Sequence, residues 1–255
     1  MKCIILAAGY ATRLYPLTKN FPKPLLPLGD KRILDWLIDD LAGNTGINEF
    51  IVISNHRYAV IFDEWADTKM KAAAQNGFPY TVTVVDDGTD KNEMRLGAVR
   101  DIQFAIEKLN IEDDLLVMAG DNILDFSLGG FMNFAVTKNT SCVMCHEEYD
   151  LKRQQKTAII TMDASNLITS YEEKPVEPKG HYAVPPFYFY KAEDASRIDE
   201  ALSDGCDADA PGSFAAWLSD HASMHAYVMP GKRYDIGDVE SYEKVKKLFE
   251  VREAH

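Results

Sequence analysis

Apolar positions along the first half of the chain fall into two alternating rhythms. Cys3-Ile4-Ile5-Leu6 is apolar at every position, as in a strand buried on both faces, and predicts a strand over residues 2–7. Ile33, Leu34, Trp36, Leu37, Ile38 and Leu41 then recur at helical spacing, with Gly43 as the expected stop. Residues 50–54 read as a second buried strand and 80–85 as a strand rich in β-branched residues. Between them, 58–76 reads as a helix with Ile61, Phe62, Trp65, Ala66 and Met70 on its apolar side. Residues 95–109 are expected to be helical, and 115–119 to form a buried strand that ends at Gly120-Asp121-Asn122. Such alternation builds a parallel sheet covered by helices.

The second half is richer in strands, expected over 141–147, 157–162, 168–171, 183–190 and 224–228. Helices are expected over 192–203, 213–221 and 239–251, the last with Asp238 as N-cap and Glu240 in its first turn. No internal repeat or low-complexity linker breaks the pattern, so residues 1–255 read as one domain whose two halves, about 1–125 and about 126–255, share a sheet.

Composition changes this picture little. The 255 residues are 46% apolar and 26% charged, ordinary for a globular protein with a full core. Lys and Arg total 27 against 40 Asp and Glu, a formal charge of −13 that argues against a general nucleic-acid binder. It does not exclude local basic clusters that hold phosphates. The chain opens on its first strand, so no signal peptide is expected, and no apolar run approaches the length of about 18 that a membrane span needs. Cys142 and Cys145 form a Cys-x-x-Cys, but on a strand residues three apart point to opposite faces and do not chelate together. Buried, reduced cysteines and a cytoplasmic location are the expectation.

The chemistry concentrates in residues 6–27. Leu6-Ala7-Ala8-Gly9-Tyr10-Ala11-Thr12-Arg13-Leu14-Tyr15-Pro16-Leu17-Thr18 leads into Phe21-Pro22-Lys23-Pro24-Leu25-Leu26-Pro27. A loop at the C-terminal end of a buried strand is where open α/β sheets bind nucleotides. Gly9 permits close approach of the backbone to a phosphate. Arg13 offers a planar fork, Lys23 a point charge, and Pro22 and Pro24 fix the backbone on either side of that lysine. Neither the Rossmann nor the Walker glycine pattern is present.

This run resembles the signature of the sugar-1-phosphate nucleotidylyltransferases, in the short form without a β-helix domain. The resemblance implies an α/β fold: a Rossmann-like, mixed, mainly parallel sheet flanked by helices in three layers, the nucleotide-diphospho-sugar transferase fold. It implies a nucleotide-binding first half and an acceptor-binding second half. The reaction it implies joins an NTP to a sugar 1-phosphate and releases pyrophosphate. A phosphate nucleophile is already largely ionised near neutral pH, so the chemistry rests on positioning and charge neutralisation.

Carried over residue by residue, Leu6, Ala7, Ala8, Gly9 and Thr12 become the nucleotide cradle, with Gly97 in the later Arg95-Leu96-Gly97-Ala98 run. Arg13 and Lys23 become the catalytic cations on the triphosphate. Asp121 of Gly120-Asp121-Asn122 and Asp235 of Arg233-Tyr234-Asp235-Ile236-Gly237 become joint ligands of Mg²⁺. Taken singly, either aspartate could be a turn or cap residue. Glu173 and Lys174 of Glu172-Glu173-Lys174-Pro175 match the acceptor motif, the glutamate taking hydroxyls and the lysine the acceptor phosphate. The implied partners are an NTP and a phosphorylated small-molecule acceptor, with no nucleic acid and no membrane. Relatives are often dimers or tetramers, which leaves room for a homo-oligomer.

The match departs in four places. Tyr10 and Ala11 alter the glycine-bearing loop. The base-reading glutamine is missing from residues 86–98, which leaves the base open, and Asn92-Glu93-Met94 bears a faint likeness to cytidylyltransferases of small phospho-alcohols and phosphonates. Thr157 replaces a sugar-contacting glycine, and Pro185-Pro186 replaces backbone that lies near the sugar. Three alternatives therefore stay open: a cytidylyltransferase for a non-sugar phosphate or phosphonate, a glycosyltransferase (opposed by the lack of Asp-x-Asp at Asp121), and a non-catalytic binder of nucleotide sugars.

Overall fold

A computed structural model describes residues 1–253. In chain order the strands are β1 (Lys2–Leu6), β2 (Pro27–Leu28), β3 (Lys31–Arg32), β4 (Glu49–Ser54), β5 (Thr81–Asp86), β6 (Leu115–Ala119), β7 (Asn122–Leu124), β8 (Ser141–Glu147), β9 (Ala158–Met162), β10 (Ile168–Glu173), β11 (Tyr182–Val184), β12 (Phe187–Tyr190), β13 (Met224–Val228) and β14 (Arg233–Asp235). The helices are α1 (Ile33–Asn44), α2 (Ala59–Gln75), α3 (Ala98–Leu109), α4 (Gly129–Lys138), α5 (Leu151–Gln154), α6 (Ala192–Ala195), α7 (Ile198–Ser203), α8 (Gly212–His221) and α9 (Val239–Glu253).

The chain divides into two compact units. The first comprises Met1–Ile4, Leu96–Met118 and Gly130–Pro230; the second comprises Ile5–Arg95, Ala119–Gly129 and the chain from Gly231 onward. In the first unit the strand order is β10-β9-β11-β8-β12-β6, then the start of β1, with β13 also paired to β8. β12 is antiparallel to β6 and β8, β11 to β8 and β9, and β10 to β9, whereas β13 is parallel to β8. In the second unit the end of β1 lies beside β4, which runs parallel to β5 from Glu49↔Thr81 to Ser54↔Asp86. Two small antiparallel ribbons, β2–β3 and β7–β14, complete it. The sheet is therefore mixed, with helices flanking it, as expected.

The apolar run of β1 is buried as expected: Cys3, Ile4 and Ile5 are fully enclosed. In the second unit a core of Leu14, Leu26, Leu28, Ile33, Ile123 and Ile236 is closed by Tyr242, Val245 and Phe249 of α9. Asp238 caps that helix, its Oδ1 accepting from the Ser241 N–H at 2.8 Å. Cys142 and Cys145 are buried in β8, and burial pushes their thiols up to about 11 and about 12. Among the described residues no helix is long and apolar enough to cross a membrane.

Several elements differ from their expected form. Pro185 and Pro186 split the expected strand over 183–190 into β11 and β12, because proline has no N–H for a ladder. Ser196 and Arg197 split the expected helix over 192–203 into α6 and α7. α3 starts at Ala98 rather than Arg95, because Gly97 takes φ +96°. That glycine is required: a Cβ there would run into the Ala208 carbonyl. The N–H groups of Ala98 and Val99 donate to Asp209 O and Ala208 O at 3.3 and 2.9 Å, so backbone carbonyls close the start of α3.

Candidate active site

Loops carry the site, and the first is built by its hydrogen bonds. Where β1 ends, the Ala7 N–H donates to Ile53 O at 2.9 Å, and Asn55 Nδ2 donates to Ala8 O at 2.9 Å. Tyr10, buried rather than projecting, donates its hydroxyl to Thr89 O at 3.1 Å. Ala11 adopts a left-handed conformation, φ +45°, and leads into a 3₁₀ turn over Thr12–Leu14. Thr18 Oγ1 donates to Ala11 O, and Tyr58 OH donates to Thr18 O, both at 2.8 Å. The backbone of residues 7–18 is thus fixed by groups from β4, the turn between β4 and α2, and the loop after β5. Gly9 is exposed, and a Cβ there would meet no atom within 4 Å, so open space lies beside its backbone.

Lys23 opens a second 3₁₀ turn, Lys23–Leu25, between Pro22 and Pro24. It is 7% exposed, and its Nζ donates to Asp121 Oδ2 at 2.6 Å. Asp121 follows β6, and its Oδ1 accepts from Asn122 Nδ2 at 2.9 Å; Arg233 Nη1 in turn donates to Asn122 Oδ1 at 2.6 Å. Gly120 makes this approach feasible, since a Cβ there would sit 3.0 Å from Ile5 Cγ2 and 3.4 Å from Pro24 Cγ.

Leu6, Ala7, Gly9, Arg13, Lys23 and Asp121, together with Gly237, line one cavity of about 150 Å³ in the second unit. Asp235 does not line it. The pairing of β14 with β7 sets Asp235 opposite Asn122, one residue from Asp121, and leaves it exposed. Ala8 is buried behind the loop, and Thr12 is exposed in its turn. Gly97 lies in the first unit, where its contact is the Ala208 backbone.

The carboxylates of Asp121 and Asp235 are oxygen donors of the kind a hard divalent cation takes. Mg²⁺ takes one or two carboxylates and fills its octahedron with phosphate oxygens and water. Among the described residues no group of three or more His, Cys, Asp or Glu side chains could hold a metal by itself. The set is thus suited to an ion that arrives with phosphates, not to a closed protein cage.

Glu173 and Lys174 belong to the first unit, at the end of β10. Burial pushes the Glu173 carboxyl above its ordinary value, an effect partly offset by Lys174, whose Nζ is 3.8 Å away. A Cβ on Gly212 would stand 2.5 Å from Glu173 Oε2, 3.2 Å from Tyr171 OH and 3.4 Å from Tyr188 OH, so three polar groups converge where glycine leaves room. Asn55, Tyr171 and Gly212 stand outside the motifs legible in the sequence. Asn55, a polar residue directly after a buried strand, carried the clearest signal.

Residues 2–251 match the model of the nucleotidyl transferase family. The chain belongs to this family. Among its members the chain is 26% identical over 253 residues to a glucose-1-phosphate adenylyltransferase of Bacillus licheniformis, covering 93% of this chain and 64% of that protein. It is 30% identical over 183 residues to a mannose-1-phosphate guanyltransferase of Debaryomyces hansenii, covering 71% of this chain and 47% of that protein. The chain therefore spans less than two thirds of the length of these curated relatives. In fold it is similar to an apo UDP-glucose pyrophosphorylase, with a TM-score of 0.82 at 20% identity over 99% of both chains. A UDP-glucose pyrophosphorylase complexed with UDP-glucose gives a TM-score of 0.80 at 22% identity over 98% of both chains.

Proposed function

We propose that the chain transfers a nucleotidyl group from an NTP to a sugar 1-phosphate and releases pyrophosphate. The observation that carries this reading is the single cavity in which Arg13, Lys23 and Asp121 meet beside the open face of Gly9. Its cations suit a triphosphate, and family membership supplies the reaction class.

In the proposed reaction an oxygen of the acceptor phosphate attacks the α-phosphorus in line. The bond from that phosphorus to the bridging oxygen breaks, and its electrons leave with pyrophosphate. Arg13 holds the triphosphate bidentately, and Lys23 meets the charge that develops on the leaving group. Asp121 and Asp235 would hold Mg²⁺, which when bound supplies neutralisation of phosphate charge. Lys23 pairs with Asp121 at 2.6 Å, so to engage a phosphate Lys23 passes from that carboxylate to the nucleotide. Glu173 accepts from acceptor hydroxyls, and Lys174 holds the acceptor phosphate.

The test is pyrophosphate release across a matrix of five NTPs and a panel of acceptors that includes sugar 1-phosphates, phospho-alcohols and phosphonates. Release with a sugar 1-phosphate supports the reading. Release only with CTP and a non-sugar acceptor replaces it by the cytidylyltransferase alternative. Nucleotide-sugar binding without release in any combination refutes catalysis.

A further inference from the structure

We infer that the second unit carries another binding site, for a small organic cation with an apolar body, at the end of the β7–β14 ribbon remote from Asp121 and Asp235. The effect assigned to it below rests on the function proposed above.

A cavity of about 280 Å³ is lined there by Trp36 and Asp40 of α1, Leu124, Asp125 and Phe126 at and after the end of β7, and Phe249 of α9. This approaches the lower end of small-ligand pockets, about 300 Å³. Trp36 and Phe249 meet edge to face, with centroids 4.8 Å apart. Ring faces attract cations, and the Lys31 ammonium already lies 4.9 Å from the Trp36 centroid.

The carboxylates, Asp40 half-buried and Asp125 exposed, are fixed by neutral donors. Asp40 accepts from Asn44 Nδ2 at 2.9 Å and from the Leu128 N–H at 2.8 Å, and Asp125 Oδ1 accepts from the Lys232 N–H at 2.6 Å. These donors are neutral, and among the described residues no Lys or Arg lines the cavity. Two negative charges beside aromatic walls repel nucleotides and phosphates and favour an ammonium group.

The same residues anchor the ribbon. Asp125 and Lys232 exchange two hydrogen bonds, Asp125 N–H to Lys232 O at 3.1 Å and Lys232 N–H to Asp125 Oδ1. The register then runs Leu124↔Arg233, Ile123↔Tyr234 and Asn122↔Asp235. Three paired positions span about 10 Å. A cation drawn to Asp125 therefore acts on the strands that set the spacing of Asp121 and Asp235.

Benzylamine is the probe, titrated by calorimetry into the full chain, with benzyl alcohol and benzoate as neutral and anionic controls. Saturable benzylamine binding is expected, at least about threefold tighter than the alcohol, with none for benzoate. Asp125→Asn keeps the oxygen that accepts from Lys232 and should lower that preference; Phe126→Leu should weaken amine and alcohol alike. Saturating benzylamine should also change the affinity for magnesium pyrophosphate at least about threefold, and not in Asp125→Asn. No saturable binding, equal binding of the alcohol, or unchanged selectivity in a folded Asp125→Asn overturns the site. Unaltered pyrophosphate affinity overturns the coupling. If magnesium pyrophosphate does not bind even without amine, it is the proposed function that fails, and the amine titrations still decide the site.

Discussion

Replacing Lys23 by methionine removes a charge at nearly constant side-chain length and separates folding from catalysis. In the folded chain Lys23 is 7% exposed and lies 2.6 Å from Asp121. Breaking a buried ion pair costs roughly 3–5 kcal/mol, whereas an exposed pair contributes about 1 kcal/mol or less. The Asp121 side chain is 33% exposed and keeps its hydrogen bond from Asn122, so water can replace the ammonium. The loss should therefore fall at roughly 1–2 kcal/mol, a drop in Tm of about 2–8 °C. For catalysis, loss of one preorganised donor at a developing negative charge costs about 3–4 kcal/mol, or roughly 10²–10³ in kcat. Ground-state binding keeps Arg13, so NTP affinity should fall by less than about tenfold. The assays are pyrophosphate release at saturating substrate, NTP titration by calorimetry, and a thermal melt. A variant that melts in the expected range but loses kcat and NTP affinity equally would refute the leaving-group role.

Asp121→Asn and Asp235→Asn should each shift the Mg²⁺ dependence of pyrophosphate release to higher concentration; superimposable titrations of both variants with the wild type would rule out a shared ion. Glu173→Gln should impair acceptor use while leaving NTP binding intact, which acceptor KM and nucleotide titration distinguish. The same variant has a pH signature: because the folded carboxyl is raised above its unfolded value, ionising it weakens the fold as pH rises through the folded value. Glu173→Gln should therefore raise Tm at neutral pH, with the gain vanishing in acid below the ordinary glutamate range; an equal gain at both would contradict the burial argument. Gly97→Ala meets both positive φ and the Ala208 carbonyl and should cost at least ~2 kcal/mol, read as a fall in denaturation midpoint; an unchanged midpoint would contradict that contact.

The parts of the fold legible in the sequence are those whose burial repeats. β1, β4 and β6 announce themselves by unbroken apolar runs, and α1 by its helical stripe. The β7–β14 ribbon is not legible in the sequence, because each strand spans three residues, too few for a period, and the pairing joins positions more than a hundred residues apart. α4 was hidden by Gly129-Gly130, which look like a break, although Phe131, Met132 and Ala135 are buried at helical spacing. Gly130 is there because a Cβ would press on the Tyr227 hydroxyl. The donor residues stood out because the signature is contiguous, so Arg13 and Lys23 were legible together. Their meeting with Asp121 depends on Gly120, whose missing side chain matters only once Pro24 and Ile5 are in place.

The apolar seat for α9 imposes an order on biosynthesis. Leu14, Leu26, Leu28 and Ile33 leave the ribosome some two hundred codons before the Ile236, Tyr242, Val245 and Phe249 that cover them. Until then the nascent polypeptide displays a sticky greasy patch, and a nonsense mutation anywhere before that seal would release a product prone to clump.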